Sequence, residues 1–162
     1  VYHQPIDALI EEYIEDLGLN HTSIVNKADI SELISGYEKG KALGNLIWDK
    51  ESIIGAAGFL CSTAEDMLKY AQSQFDSNNK VTRLCHMKHA EYQRGKGLPL
   101  DIGLCWILIP DLDISFHSGG TRCFASILCI DTKREVAAVI LSNCYMEEII
   151  NLCIGQVREL SK

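Results

Sequence analysis

The sequence predicts an α+β fold: an antiparallel sheet of three to four strands, a C-terminal helix, and a helical region ahead of them. Three observations carry this. Apolar residues recur at helical spacing near both ends of the chain. Four short apolar runs follow one another between Gly103 and Ser142, with a polar turn at Asp131-Thr132-Lys133-Arg134 joining the last two as a hairpin. The order is helices, then a meander, then a helix, which segregates the two kinds of element instead of alternating them.

Ile6, Leu9, Ile10, Tyr13, Ile14 and Leu17 form one helical stripe. Pro5 suits its first turn and Gly18 its C-terminal cap. Residues 20 to 55 sustain no period and are punctuated by Gly36, Gly40, Gly44 and Gly55, so they read as loop with short pieces of strand or helix. Ser62 and Glu65 have the spacing of a capping box, which predicts a helix to about Phe75 with Met67, Leu68, Ala71 and Phe75 facing inward. Asp76 to Asn79 is a turn, Lys80 to about Tyr92 a weaker helix, and Arg94 to Gly97 a loop. Strands are expected over Gly103–Ile109, Ile114–His117, Arg122–Ile130 and Val136–Ser142. Ile149, Ile150, Leu152, Cys153, Val157 and Leu160 mark a closing helix. The strands 122–130 and 136–141 are apolar almost without alternation, a pattern that asks for cover on both faces.

The chain has 162 residues, 47% of them hydrophobic and 23% charged, with a formal net charge of −7. That composition fits a globular domain and carries no basic block, which argues against nucleic acid or an anionic membrane surface as the main partner. No apolar run approaches the ~18 residues of a membrane span. The seven cysteines include no C-x-x-C pair and sit mostly inside apolar runs, so they read as free, buried thiols. The chain starts at Val1 and not at Met, which leads us to expect a longer precursor. Nothing indicates a compartment.

The stretch with most chemical content is His117-Ser118-Gly119-Gly120-Thr121. An imidazole titrates near neutral pH, and glycine in a strand admits close approach of a ligand or of another backbone. The plainer reading is a surface histidine next to a glycine bulge. Cys85, His86 and His89 hint at a metal, but no second cluster completes four ligands, so no metal and no cofactor is expected. Asp111 and Asp113 flank a turn and read as solvated. Ser62 and Thr63 read as caps.

Several ordered stretches resemble the C-terminal half of the serine beta-lactamase and penicillin-binding protein superfamily, in the branch of class C beta-lactamases, DD-peptidases and related esterases. Leu17-Gly18-Leu19-Asn20-His21-Thr22 is similar to the branch's "LGM..T", and Gly36-Tyr37 to a following "GY". Gly55 to Met67 is similar to "aaGGl.STaeDl". Gly103-Leu104-Cys105-Trp106 is similar to "GLGW" with Cys for the second Gly, His117–Thr121 to "HxGGt", and Leu141-Ser142-Asn143 to "LSN". The resemblance implies that residues 1–100 are part of a helical subdomain with connecting loops, and 101–162 the C-terminal strands and helix of an α/β subdomain.

It also implies acyl transfer by a serine on amides or esters: beta-lactams, D-Ala-D-Ala peptides or small esters. His117 would supply charge or a proton relay, and the Gly120 N–H an oxyanion contact. Ser118, Gly119 and Thr121 would bind substrate. The family's first two motifs, Ser-x-x-Lys and Tyr-x-Asn, lie upstream of the matched segments. Here Ser-x-x-Lys occurs once, at Ser77-Asn78-Asn79-Lys80, in a turn, and Tyr-x-Asn does not occur. We therefore expect a C-terminal fragment that is inactive alone. Its sheet would be covered by a missing N-terminal part of the same protein or by a second copy. The alternative is a noncatalytic binding module on the same fold.

Overall fold

The computed structural model describes residues 3–25, 33–44, 54–93 and 97–162. Contacts divide the chain into two compact units. Unit 1 comprises Val1–Tyr70, Gly120–Ala125 and Leu141–Tyr145, and unit 2 the remaining residues. Of the predicted loop 94–97, Arg94 to Lys96 lie outside the described residues.

In unit 1, helix α1 spans Ile6–Asp16. Its end is a Schellman motif: the Gly18 N–H donates to Glu15 O at 3.0 Å, and the Leu19 N–H to Ile14 O at 3.0 Å. Gly18 takes φ 63°, the left-handed conformation that favours glycine. None of the residues of α1 is buried, so its apolar stripe is only partly covered. Strand β1 (Ser23–Ile24) pairs antiparallel with β4 (Leu60–Cys61), and β2 (Gly36–Glu38) with β3 (Lys41–Gly44). The stretch from residue 20 to 55 therefore contains three short strands among its described residues. Leu19, Ile24, Val25, Phe59 and Cys123 are buried in this unit.

Helix α2 spans Ala64–Ser73 and stops two residues short of the predicted Phe75. Its cap is Thr63, not Ser62. The Thr63 hydroxyl accepts from the Asp66 N–H at 3.3 Å, while Ser62 turns to the Thr22 hydroxyl at 2.8 Å. The expected inner face shifts with it: Asp66 and Ala71 are buried, and Leu68 is exposed.

Unit 2 holds most of a sheet whose order is β10-β9-β8-β7-β6-β5, six antiparallel strands among the described residues. These are β5 (Ala90–Gln93), β6 (Leu100–Ile102), β7 (Ile107–Ile109), β8 (Ile114–Gly120), β9 (Ala125–Asp131) and β10 (Val136–Ser142). The α+β class holds, with a larger sheet than the sequence outlined. The expected helix 80–92 is cut to α3, Lys80–Cys85, after which the chain enters β5. The expected strand 103–109 is reduced to β7 because the chain turns at Cys105, which takes φ 61°.

β9 has six of its seven residues buried, as an apolar run without alternation requires. β10, at the sheet edge, has none buried. Helix α4 (Ile149–Leu160) turns Ile149, Cys153 and Val157 inward, and the Cys153 thiol donates to Ala138 O of β10 at 3.2 Å. Leu152 and Leu160, expected on the same stripe, are exposed.

Candidate active site

β8 changes character along its length. Ile114, Ser115 and Phe116 are buried, whereas His117, Gly119 and Gly120 are exposed and Ser118 is half-buried. The reason lies in its neighbour. β7 pairs with β8 as Ile109↔Ile114, Leu108↔Ser115 and Ile107↔Phe116, and there the ladder stops. Cys105, in its left-handed conformation, takes the chain away from the next register positions. Residues with a side chain adopt that conformation at a cost, and glycine does not. This accounts for a glycine in the pattern that Gly103-Leu104-Cys105-Trp106 resembles.

The expected site segment, His117 to Thr121, begins where this pairing ends. Its residues fall in both units and are taken unit by unit. In unit 2, a Cβ built on Gly119 would fall 2.9 Å from Ser126 Oγ of β9, so close packing against the neighbouring strand favours glycine there. In unit 1, a Cβ on Gly120 would fall 2.8 Å from Cε2 of Tyr145. Thr121 opens a tight turn, its N–H donating to Phe124 O at 3.0 Å, and its hydroxyl oxygen is buried without a hydrogen-bond partner. Arg122 clamps that turn to β2 through two hydrogen bonds to Glu38, at 2.9 and 2.8 Å. The guanidinium holds the Glu38 carboxyl below its ordinary value.

This strand end bears an imidazole, a hydroxyl and two glycines. A family model described as Beta-lactamase matches residues 1–147. The chain belongs to the beta-lactamase family. All the stretches quoted for the resemblance, from Leu17 to Asn143, fall inside that match. The fold is also that of the octameric penicillin-binding protein homologue from Pyrococcus abyssi, at a TM-score of 0.80 and 16% sequence identity. That match covers 95% of this chain and 37% of the other, so the chain spans little more than a third of the protein it resembles. Among curated proteins none matches. For this member of the beta-lactamase family, the sequence match gives the family and the structural match the fold.

The literal Ser-x-x-Lys of this beta-lactamase family member serves local structure. Ser77 lies in a turn, and Asn79 caps α3 by accepting from the Val81 and Thr82 N–H groups at 2.9 and 3.2 Å. Ser77 thus precedes the cap and Lys80 is the first helical residue, so no helix face carries both.

His86 and His89 do not converge on a common point. His86 Nε2–H donates to Gln74 Oε1 at 3.3 Å, and His89 Nε2–H to Leu84 O at 2.9 Å. His86 packs on Trp106 with ring centroids 4.7 Å apart, and burial pushes its ring down to about 4. No group of three or more metal-ligating side chains occurs among the described residues. All seven cysteines are free thiols. Three of them, Cys123, Cys129 and Cys153, are buried, Cys61 and Cys85 are half-buried, and Cys105 and Cys144 are exposed, fewer buried than the mostly buried set expected.

A hollow of about 530 Å³ in unit 2, bordered by Asp111, Ile114, Arg134 and Arg158, lies at the other end of β8 from His117. Asp113 is paired with Lys133 at 2.6 Å. No described helix is long and apolar enough to cross a membrane.

Two contacts were not anticipated from sequence. Tyr145 against Gly120 had no signal beyond a single aromatic after Leu141-Ser142-Asn143. The Asp66 contacts to His21 and Thr22 join two stretches that the family resemblance quotes separately.

Proposed function

We propose that this chain supplies one wall of the acyl-transfer site of a serine hydrolase acting on amide or ester carbonyls, such as beta-lactams, D-Ala-D-Ala peptides or small esters. The observation that carries the reading is the free strand end. β8 loses its β7 partner after Phe116, and past His117 and Ser118 the strand ends in two glycines. An unpaired strand N–H can donate to the oxygen that becomes negative when a nucleophile adds to a carbonyl. Such a donor typically contributes about 2.7–4 kcal/mol to lowering the barrier.

In this reading the serine hydroxyl gives its proton to the lysine of its motif, its oxygen bonds to the carbonyl carbon, and the carbonyl π pair moves to oxygen. Gly120 N–H stabilises that oxyanion as it forms. When the tetrahedral intermediate collapses, the leaving group departs with its bonding pair and takes up a proton. His117, exposed on the strand end, is the side chain assigned to pass that proton. Ser118 and Gly119 orient the substrate along the strand, and Thr121 brings a hydroxyl that has no other partner. The nucleophilic serine and its lysine are assigned to a Ser-x-x-Lys outside these residues. Residues 1–100 are read as part of the helical subdomain and 101–162 as strands and helix of the α/β subdomain.

The test is covalent labelling of the full-length protein with a fluorescent penicillin or a fluorophosphonate, followed by mapping of the labelled serine. A labelled serine in a Ser-x-x-Lys motif is expected. Absence of labelling would favour a noncatalytic binding module on this fold. The 162-residue chain alone should turn over neither nitrocefin nor a p-nitrophenyl ester, and robust hydrolysis by it would contradict the division of labour proposed.

A further inference from the structure

Unit 1 spends many hydrogen bonds on holding one exposed aromatic ring in place. At the end of β10 the Ser142 hydroxyl donates to Cys144 O at 2.9 Å and stands 3.2 Å from the Cys144 N–H, closing a tight turn. The next residue, Asn143, is tied on both sides. Its Nδ2 donates to Ser35 O at 3.0 Å, and its carbonyl accepts the Tyr37 N–H at 2.7 Å. A parallel bridge joins Tyr37 to Cys144. The opposite wall is held as firmly, by the Thr121–Phe124 turn and the two-pronged Arg122–Glu38 pair.

Between these anchors Tyr145 lies on Gly120 while remaining 57% exposed. Any side chain at position 120 would meet the ring, with Cε2 at 2.8 Å and Cδ2 at 3.3 Å from its Cβ. The turn, the asparagine and the bare glycine therefore form one arrangement. It presents an aromatic surface to solvent directly beside the Gly120 backbone. Burial of the ring does not explain this, since most of the ring is not buried.

We propose that Tyr145 is a specificity-determining residue that selects substrates carrying a flat, apolar group next to the reacting carbonyl. The proposal rests on the acyl-transfer reading above. A carbonyl oxygen held by Gly120 N–H brings its acyl substituent to the ring, where aromatic or apolar groups gain contact. A methyl group is too small to use that surface. Aromatic contacts of this kind are worth about a two- to tenfold preference.

The test compares the second-order labelling rates of the full-length protein with two fluorophosphonates, one bearing a phenylalkyl group on phosphorus and one a methyl group. In each case the serine oxygen bonds to phosphorus, fluoride leaves, and no turnover is needed. Wild type should prefer the phenylalkyl probe. Tyr145→Ala should lower the phenylalkyl-to-methyl ratio by about two- to tenfold, and Tyr145→Phe should keep it. An unchanged ratio in Tyr145→Ala, an equal loss with both probes, or no preference in wild type overturns the proposal and leaves the hydrolase reading intact. No labelling of wild type by either probe overturns both.

Discussion

Thr22 and Asp66, 44 residues apart in sequence, share a 2.9 Å hydrogen bond in which the threonine hydroxyl donates to a fully buried carboxylate. The same oxygen accepts the His21 N–H at 2.7 Å, and Lys69 reaches the other oxygen at 3.2 Å. Burial alone pushes this carboxyl up. The His21 amide, the Thr22 hydroxyl and the Lys69 ammonium outweigh it and hold the group below its ordinary value. Asp66 therefore fastens the loop after α1 to the first turn of α2.

Asp66→Ala should destabilise the fold by about 1–3 kcal/mol, because it removes the buried ionised acceptor of the His21 amide and the Thr22 hydroxyl. Asp66→Asn keeps one acceptor oxygen and should cost less. Urea unfolding of both variants checks the order. The sign with pH is fixed by the lowered value: the contribution is in place above the unfolded carboxylate value of roughly 3.9 and is lost as pH falls through the folded one.

That contact also shows what the sequence could and could not convey. Ser62 and Thr63 are adjacent hydroxyl residues, and each has an acid three positions on, Glu65 and Asp66. Local pattern fits either as the cap. The use of Ser62 by Thr22, a tertiary contact, decides for Thr63. The sheet divides in the same way. β9 and β10 are seven-residue runs, legible from length and apolarity. β5 is four residues long and β6 three with a buried Asp101, so neither is long enough to show a period. The His117–Gly120 strand end was legible as composition, but its release from β7 depends on the backbone of Cys105, a residue type that gives no warning of a positive φ.

Cys105→Gly tests that backbone directly. Left-handed strain at a residue with a side chain costs about 1–2 kcal/mol, and the extra freedom of glycine in the unfolded chain returns roughly 0.5–1 of it. A net gain of up to about 1.5 kcal/mol is expected. The neighbouring Gly103→Ala should do the opposite, because its Cβ would collide with the Cys85 carbonyl, a backbone atom that cannot swing aside. Overpacking of this kind costs about 1–3 kcal/mol. Equal thermal midpoints for the two variants would refute both assignments.

His86 sets a second pH dependence. Its folded ring is pushed down to about 4 by burial against Trp106, and its unfolded value is about 6.5. A lowered histidine stabilises the fold above the unfolded value, and that contribution is lost as pH falls from 6.5 toward 4. With part of the residue open to solvent, the loss is discounted to about 1–2 kcal/mol. Comparing wild type with His86→Phe between pH 7 and pH 4.5 isolates it from the carboxylates, which act lower. The variant should lose less stability over that interval. An identical loss would show that the ring is not the titrating group.

His117→Ala separates chemistry from folding. The residue is exposed at the free end of β8, so its removal should change stability by no more than about 0.5 kcal/mol. As a proton-transfer group it should contribute about 100- to 10,000-fold to turnover. In the full-length protein, kcat/KM for an amide or ester substrate is therefore expected to fall by at least about 100-fold with an unchanged thermal midpoint. His117→Gln, which donates a hydrogen bond but does not titrate, should rescue little of this. Strong rescue by glutamine would mean that the imidazole serves as a donor to substrate and not as a proton carrier. Full activity in both variants would remove His117 from the site and leave it the Gly120 N–H and the Ser118 and Thr121 hydroxyls.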